Sequence, residues 1–267
     1  MSLTALLGAV FGVGLFLTSV LLSTNDAIIF LSLSSFLMVM GGTIATTFMS
    51  YSPRDVTTSF RAIGWMFKKP KSTREGLNTE IGRLIAWAYL VQKKGLPAIE
   101  DEIKKVQSED PIIRYCLELI AANHKPEEMR AMMETAVESE FERKTHPVIV
   151  LKSMAGAAPA FGMIGTLVGL VGVLQSMGAA GDNLMEMVGS GMALALITTL
   201  YGVVFARILF LPAAVRLESK EEVERFRNHM VVEGLILLAQ KRSPRFMQDH
   251  LNGFLDPDMQ FDIDKQM

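Results

Sequence analysis

Residues 153–181 read Ser-Met-Ala-Gly-Ala-Ala-Pro-Ala-Phe-Gly-Met-Ile-Gly-Thr-Leu-Val-Gly-Leu-Val-Gly-Val-Leu-Gln-Ser-Met-Gly-Ala-Ala-Gly and contain no charged residue. A helix needs about 20 mostly apolar residues to cross a bilayer, so this stretch is long enough. Residues 187–206 are also uncharged, and the interval between the two stretches contains Gly181, Asp182, Asn183 and Glu186. We therefore predict two membrane-spanning helices that form a hairpin.

A second hairpin is predicted at the start of the chain. Residues 3–22 form one apolar run, and residues 27–49 form another after the turn-forming link Ser23-Thr24-Asn25-Asp26. Half of the 267 residues are hydrophobic, and the mean hydropathy is +0.31. A soluble helical protein of this size would have difficulty burying four such runs. The predicted fold class is therefore an all-α membrane protein with four transmembrane helices in two hairpins.

The basic residues indicate the orientation of the chain. All 26 Lys and Arg residues fall within residues 54–152 and 207–265. Short loops rich in these residues stay in the cytoplasm, so both hairpin tips are expected to face outward and both termini to be cytoplasmic. The predicted organisation is a transmembrane hairpin at 1–50, a helical cytoplasmic domain at 51–150, a second hairpin at 151–212 and a cytoplasmic tail at 213–267.

The cytoplasmic stretches favour short amphipathic helices over strands. One helix is predicted to end at Gly95, because glycine tolerates the backbone conformation that ends helices. Pro97, Pro111 and Pro126 each stand where a first helical turn tolerates proline.

Composition and motifs argue against an enzyme. The chain has no Gly-rich phosphate loop, no metal-ligand cluster and no Ser/His/Asp arrangement. Its net charge of -2 gives no reason to expect nucleic-acid binding, and its single cysteine allows no disulfide within one chain. We predict neither catalytic residues nor a bound cofactor or metal.

The predicted spans contain hydroxyl groups but no carboxylate. An ion pathway usually has an ionisable side chain inside a helix bundle, so a second subunit would have to supply it here. Thr166 in the third span and Thr198 and Thr199 in the fourth are the candidate ion-pathway residues, because a hydroxyl can replace one water around a cation. The alternative is that each hydroxyl only bonds a carbonyl one turn back in its own helix.

Prolines in the second hairpin, and small residues in both hairpins, lie at positions that affect helix geometry and packing. Pro159 removes a backbone hydrogen bond in the third span, and Pro212 is predicted to end the fourth near the cytoplasmic face; both are candidate kinks or hinges. Small residues spaced four apart, which allow close helix packing in lipid, suggest packing against other helices and an oligomer; they are Gly8 and Gly12, Gly165 and Gly169, and Gly202 and Ala206. Arg207 is expected to extend toward the cytoplasmic interface.

These stretches, in this order, resemble the MotA/PomA family of bacterial flagellar motor stator proteins. The residues that carry the resemblance are Ala158-Pro-Ala-Phe-Gly-Met-Ile-Gly-Thr-Leu-Val-Gly-Leu170, Ala193-Leu-Ala-Leu-Ile-Thr-Thr-Leu-Tyr-Gly202, Gly41-Gly42-Thr43, and Glu233-Gly-Leu-Ile with Pro244-Arg245. The resemblance covers essentially the whole chain, and the two-hairpin topology agrees with it.

The resemblance implies a stator in the bacterial inner membrane. Five copies would surround two copies of a MotB/PomB-like subunit whose membrane Asp supplies the missing carboxylate, and ion flow would turn the pentamer against the rotor protein FliG. Thr166 and Thr199 would line the ion route, and Pro159 and Pro212 would couple ion passage to movement. The threonines favour Na⁺ as the transported cation, with H⁺ as the alternative.

The resemblance also implies a rotor-contacting segment at Gln92-Lys-Lys-Gly-Leu-Pro-Ala-Ile-Glu-Asp101. The family usually has Arg where this chain has Gln92, so Lys93 and Lys94 are expected to provide the basic side of the contact, and Glu100 and Asp101 the acidic side. Arg207 is a second departure, at a position expected to be uncharged.

Two other classes of membrane protein remain as alternatives. A TolQ/ExbB-like energy-transducing subunit also places threonine-bearing helices around a partner's carboxylate, but it normally has one span before its cytoplasmic region, whereas two are predicted here. A self-sufficient transporter would be expected to carry its own membrane acid.

Overall fold

The computed structural model describes residues 27–65, 74–99, 110–122, 124–179 and 184–263, together with isolated positions within 7–22. All regular structure in these residues is helical. The α-helices are α1 (Leu33–Phe36), α2 (Gly42–Ser50), α3 (Pro53–Trp65), α4 (Arg74–Lys94), α5 (Pro111–Ala121), α6 (Pro126–Ala179), α7 (Leu184–Val204), α8 (Leu211–Ala239) and α9 (Pro244–Asn252). Wider π-helical turns join α1 to α2 at Leu37–Gly41 and α7 to α8 at Phe205–Phe210.

Three of the described helical stretches are long and apolar enough to cross a membrane, namely Ile28–Ser50, Pro126–Gln175 and Met185–Ala239. They include the second, third and fourth predicted spans, so the prediction of an all-helical membrane protein is confirmed. Most of the predicted first span at 3–22 lies outside the described residues, as do residues 23–26 and 180–183 at the predicted hairpin tips. The count of four spans therefore stays a prediction.

The chain divides into two compact units. The first comprises Met1–Lys69 with Thr145–Glu218, and the second comprises Pro70–Lys144 with Ser219–Met267. The predicted tail thus groups with the predicted cytoplasmic domain from residue 219 onward. The boundaries at 50, 150 and 212 stay predictions. Two of the three divisions between the units, at 144/145 and 218/219, fall inside the long helices α6 and α8.

The second unit has an apolar core built from one face of each of its helices. Its fully buried side chains include Ile81 and Leu84 of α4, Leu117 of α5, and Leu235 of α8. Gly234 allows α8 to approach α4, because a Cβ atom there would lie 2.6 Å from Cδ1 of Leu84. A separate cluster in the first unit joins Val39, Leu151, Met154 and Phe210, so each unit buries its own apolar surface.

Capping residues explain several helix ends. The Asp110 side chain accepts hydrogen bonds from the backbone N–H groups of Ile112 and Ile113, and Pro111 follows it as the first residue of α5. Gly95 has a φ of 80° and ends α4, as predicted. Pro126 begins a helix as predicted, but Pro97 lies in a single 3₁₀ turn, Leu96–Ala98.

The helix continues through Pro212, where the fourth span is predicted to end, and the end of the span itself stays a prediction. α8 begins at Leu211 and continues to Ala239. Proline has no N–H group and clashes with the carbonyl four residues earlier in a regular helix. The π-helical turn at Phe205–Phe210, where the Leu211 N–H donates to the carbonyl of Ala206, has a wider backbone geometry and leads the helix into Pro212 without a break.

Candidate functional site

Small residues bring α6 and α7 into backbone contact. A Cβ atom on Gly202 would lie 2.6 Å from the Ala158 carbonyl oxygen, and one on Gly165 would lie 2.1 Å from Cγ2 of Thr198. A Cβ atom on Gly169 would lie 3.1 Å from the Gly191 carbonyl oxygen. The prediction that Gly165, Gly169 and Gly202 allow close helix packing is confirmed for contacts within the chain; packing between copies stays a prediction.

Thr198 is buried in this packed region, with 2% of its surface exposed. Its Oγ1 lies 2.7 Å from the carbonyl oxygen of Leu194, one turn back, and 3.0 Å from Oγ of Ser35 in α1. A hydroxyl has one hydrogen, so Thr198 donates to Leu194 and accepts from Ser35. Both interactions are internal, and the one with Ser35 joins the second span to the fourth.

Thr199 bonds across the hairpin. Its Oγ1 donates to the carbonyl oxygen of Gly162 on α6 at 3.2 Å, and the residue is half-buried. This is not the bond within its own helix that the alternative interpretation requires. Because the hydroxyl hydrogen is used by Gly162, the lone pairs of the Thr199 oxygen remain available to accept a water or contact a cation.

Thr166 forms the local bond that the alternative interpretation describes. Its Oγ1 donates to the carbonyl oxygen of Met163 at 2.6 Å, and its side chain is half-buried. The oxygen lone pairs are again not consumed by this bond. The three threonines therefore differ: Thr198 links two helices inside the protein, whereas Thr166 and Thr199 remain partly accessible.

The two predicted coupling prolines occupy different surroundings. Pro159 lies inside the continuous helix α6, and its Cα would be 3.1 Å from a Cβ atom on Gly202, so it lies at a close backbone contact with α7. Pro212 is half-buried just beyond the π-helical turn. Arg207 lies within that turn and is exposed, as expected for a residue that extends toward an interface.

The start of the second span is held by a tyrosine that the sequence analysis did not single out. The Tyr201 hydroxyl donates to the carbonyl oxygen of Phe30 and accepts from the backbone N–H of Ser32 at 3.3 Å. Gly42 packs against the ring of Phe161, which would collide with any Cβ atom at 2.2 Å. Gly42 and Tyr201 lie in stretches that carry the family resemblance, but neither that nor any other sequence signal indicated the contacts of Ser35 and Tyr201, because their partners are distant in sequence.

Half of the predicted rotor-contacting residues can be located. Lys93 and Lys94 are exposed in the last turn of α4. Glu100 and Asp101 lie outside the described residues. Ile99, five residues after Lys94, is buried in the core of the second unit with 1% of its surface exposed, so the chain is anchored soon after the two lysines.

Residues 104–230 match the MotA/TolQ/ExbB proton channel family. The YtxD protein of Bacillus subtilis (strain 168) is 32% identical over 222 residues, which cover 83% of this chain and 78% of that protein. Motility protein A of Borreliella burgdorferi is 29% identical over 257 residues, which cover 96% and 95% of the two chains. The solved structure of C. jejuni MotAB has the same fold, with a TM-score of 0.84, 23% identity and 97% coverage of both chains.

Proposed function

Because this chain belongs to the MotA/TolQ/ExbB proton channel family, we propose that it is a stator subunit of a bacterial flagellar motor. Its membership confirms the resemblance inferred from the sequence, and the family consists of channel proteins rather than enzymes. The observation that carries the proposal is the end-to-end similarity to a motility protein A, which extends over both spanning and charged regions. That relative also favours the stator over the TolQ/ExbB-like alternative.

Complementation tests this role. The gene is placed, with a candidate partner gene, in a bacterium that lacks its own stator genes but retains its rotor. Restored swimming supports the proposal. Paralysed cells in which both proteins are present in the membrane, and in which a known stator pair restores swimming, contradict it.

The ion pathway requires a MotB/PomB-like partner that contributes a membrane Asp. Residues 153–179 and 187–206 contain hydroxyls, glycines and apolar side chains but no carboxylate. We expect five copies of the chain to surround two copies of the partner in the inner membrane, with both termini cytoplasmic. Liposomes that contain the chain alone should conduct few ions, and rapid ion uptake by them would contradict the need for a partner.

Sodium is the proposed coupling ion, with the proton as the alternative. The support is chemical: Thr166 and Thr199 each donate their hydrogen to a carbonyl and keep oxygen lone pairs, and oxygen ligands suit hard cations. Motor speed should depend on external sodium at constant pH. Full speed in sodium-free medium would reject sodium coupling.

Single hydroxyl deletions refine this test. Thr199→Val and Thr166→Val should change the sodium dependence of motor speed. The matched control is Thr46→Val, because Thr46 is also half-buried in a span and donates to a carbonyl of its own helix, that of Gly42, at 3.0 Å. An equal effect of all three variants would show that hydroxyl loss acts through helix stability instead.

The rotor contact is proposed to involve Lys93 and Lys94, with Glu100 and Asp101 on the same segment. Their exposure at the end of α4 makes the two lysines available to an acidic surface. Reversing both lysines to Glu should slow or stop rotation without loss of membrane assembly. The control reverses Lys241 and Arg242, which are also exposed in the second unit; unchanged torque in the Lys93/Lys94 variant would contradict the assignment.

A further inference from the structure

The helix that follows the second span has two faces of different chemistry. Ser52 caps the start of α3, since its hydroxyl donates to Oδ2 of Asp55 at 2.7 Å and accepts from the Asp55 backbone N–H at 3.3 Å. Val56, Ser59 and Ala62 then form a buried face. Arg54 and Arg61 are exposed, and neither forms an ion pair with another described residue.

Helix geometry places both arginines opposite the buried face. Each residue adds about 100° around a helix axis. Arg54 and Arg61 are seven positions apart, so they lie within about 20° of each other. Both are about 150° around the axis from Ser59. The side of α3 that packs against the protein is thus the side away from the two guanidinium groups.

The contacts of α3 set its depth in the membrane. The helix starts at Pro53, three residues after the second span ends at Ser50, which limits the separation to about 10 Å. Its centre is also held near the apolar boundary, because the Ser59 hydroxyl donates to the carbonyl of Pro147 at 3.3 Å. Pro147 is six residues before the uncharged stretch that starts at Ser153, or about 9 Å along α6.

The short link after Ser50 and the Ser59–Pro147 hydrogen bond together place α3 along the membrane surface rather than away from it. The headgroup layer on each side of a bilayer is about 5–8 Å thick, and arginine has a long side chain that can reach several ångströms further. Arg54 and Arg61 are therefore within reach of lipid phosphates. The nearest acid on this helix, Asp55, is engaged by Ser52 and lies 3.5 Å from Nδ1 of His146.

We propose that the Arg54–Arg61 face of α3 is a binding site for anionic phospholipid headgroups at the cytoplasmic surface. Guanidinium groups bind phosphate through paired hydrogen bonds, and neither arginine has a described carboxylate partner that would compete. The sequence places Lys68, Lys69 and Lys71 after α3; they lie outside the described residues and are not part of this site. The site does not depend on the proposed stator role, since the chain alone contains it.

Lipid retention by the purified full chain tests the site. The chain is incubated in detergent with equal amounts of phosphatidylglycerol and phosphatidylcholine that carry the same acyl chains, and retained lipids are counted by native mass spectrometry. Each cation near an anionic surface contributes a factor of about five. Arg54→Gln with Arg61→Gln should therefore lower the preference for phosphatidylglycerol by about 25-fold.

Two matched variants separate this site from general effects of charge. Lys241→Gln with Arg242→Gln removes the same charge from exposed positions of the second unit and should leave the preference unchanged. Arg54→Lys with Arg61→Lys keeps the charge and should retain most of it. Equal losses in both Gln variants, or none in either, would overturn the proposal.

Two further outcomes would point to a different occupant. Release of phosphatidylglycerol by an equal concentration of inorganic phosphate would indicate an anion site rather than a lipid site. Altered self-association of the Arg54/Arg61 variant with unchanged lipid preference would indicate a contact between copies. Each of these results would overturn the proposal, and circular dichroism of every variant checks that its helical content is intact.

Discussion

Replacing Gly202 by alanine should force the third and fourth spans apart. The new Cβ atom would lie 2.6 Å from the Ala158 carbonyl oxygen and 3.1 Å from Cα of Pro159. Both obstacles are backbone atoms, which cannot rotate away as a side chain can. Ordinary contacts begin at 3.4 Å, so α6 and α7 must separate locally by about 0.8 Å to relieve the overlap.

This separation would also affect the ion-pathway candidate Thr199. Its bond to the Gly162 carbonyl is 3.2 Å long, and the same displacement would stretch it to about 4 Å, beyond hydrogen-bond range. Overpacking costs about 1–3 kcal/mol, and an interhelical bond in a membrane contributes about 0.6 kcal/mol. We expect the free energy of unfolding to fall by about 2 kcal/mol.

The change can be measured by denaturant unfolding of the purified chain in mixed micelles, followed by circular dichroism. Gly172→Ala is the matched control, because Gly172 also lies on α6 but a Cβ atom there would meet nothing within 4 Å. The control should not lower stability, and it should raise the free energy of unfolding by up to about 1 kcal/mol, because alanine favours a helix more than glycine does. If Gly202→Ala and Gly172→Ala unfold alike, close packing of these helices is refuted.

Three further predictions concern the second unit. Cys116 is fully buried, and burial together with the nearby Asp110 carboxylate raises the pKa of its thiol to about 12. The thiol should resist thiol reagents at pH 8 until denaturant is added, and rapid labelling of the folded chain would contradict this packing. Lys241 has a φ of 56° just after α8, a backbone conformation that favours glycine. Lys241→Gly should therefore raise the free energy of unfolding by about 1 kcal/mol, and a lower free energy of unfolding would refute the strain. Asn252 exchanges two hydrogen bonds of 2.8 Å with the backbone of Phe261. Asn252→Ala should lower the free energy of unfolding by about 2 kcal/mol and make the chain after residue 252 sensitive to limited proteolysis, and wild-type cleavage rates would contradict that anchoring role.

The architecture was largely readable from charge and hydropathy, because both are local properties. Residues 153–181 and 187–206 lack charges, and a soluble helical protein of this length would have difficulty burying these two runs together with the two near the start of the chain. The packing role of Gly165, Gly169 and Gly202 was also readable, since spacing on a helix is set by its geometry. Their partners were not, because nothing local distinguishes a contact within the chain from one between copies.

Features that depend on distant residues could not be predicted. Ser35 gains its role only through Thr198, and Tyr201 only through the backbone of Phe30 and Ser32. Pro212 was expected to be a kink or hinge at the end of the fourth span, but the π-helical turn that precedes it, and through which the helix continues, had no sequence signal. The hydrogen-bond acceptor of Thr199 could not be predicted for the same reason, because Gly162 is on the facing helix.

We propose that this chain converts ion flow through a partner's carboxylate into rotation. The decisive measurement is the speed of single flagellar motors in cells without other stators while this chain and its partner are induced together. Motor speed should increase in steps as units join the motor, and it should not increase when the partner's membrane Asp is replaced by Asn. Rotation that persists with Asn, or a motor that stays still although both proteins reach the membrane, would contradict it.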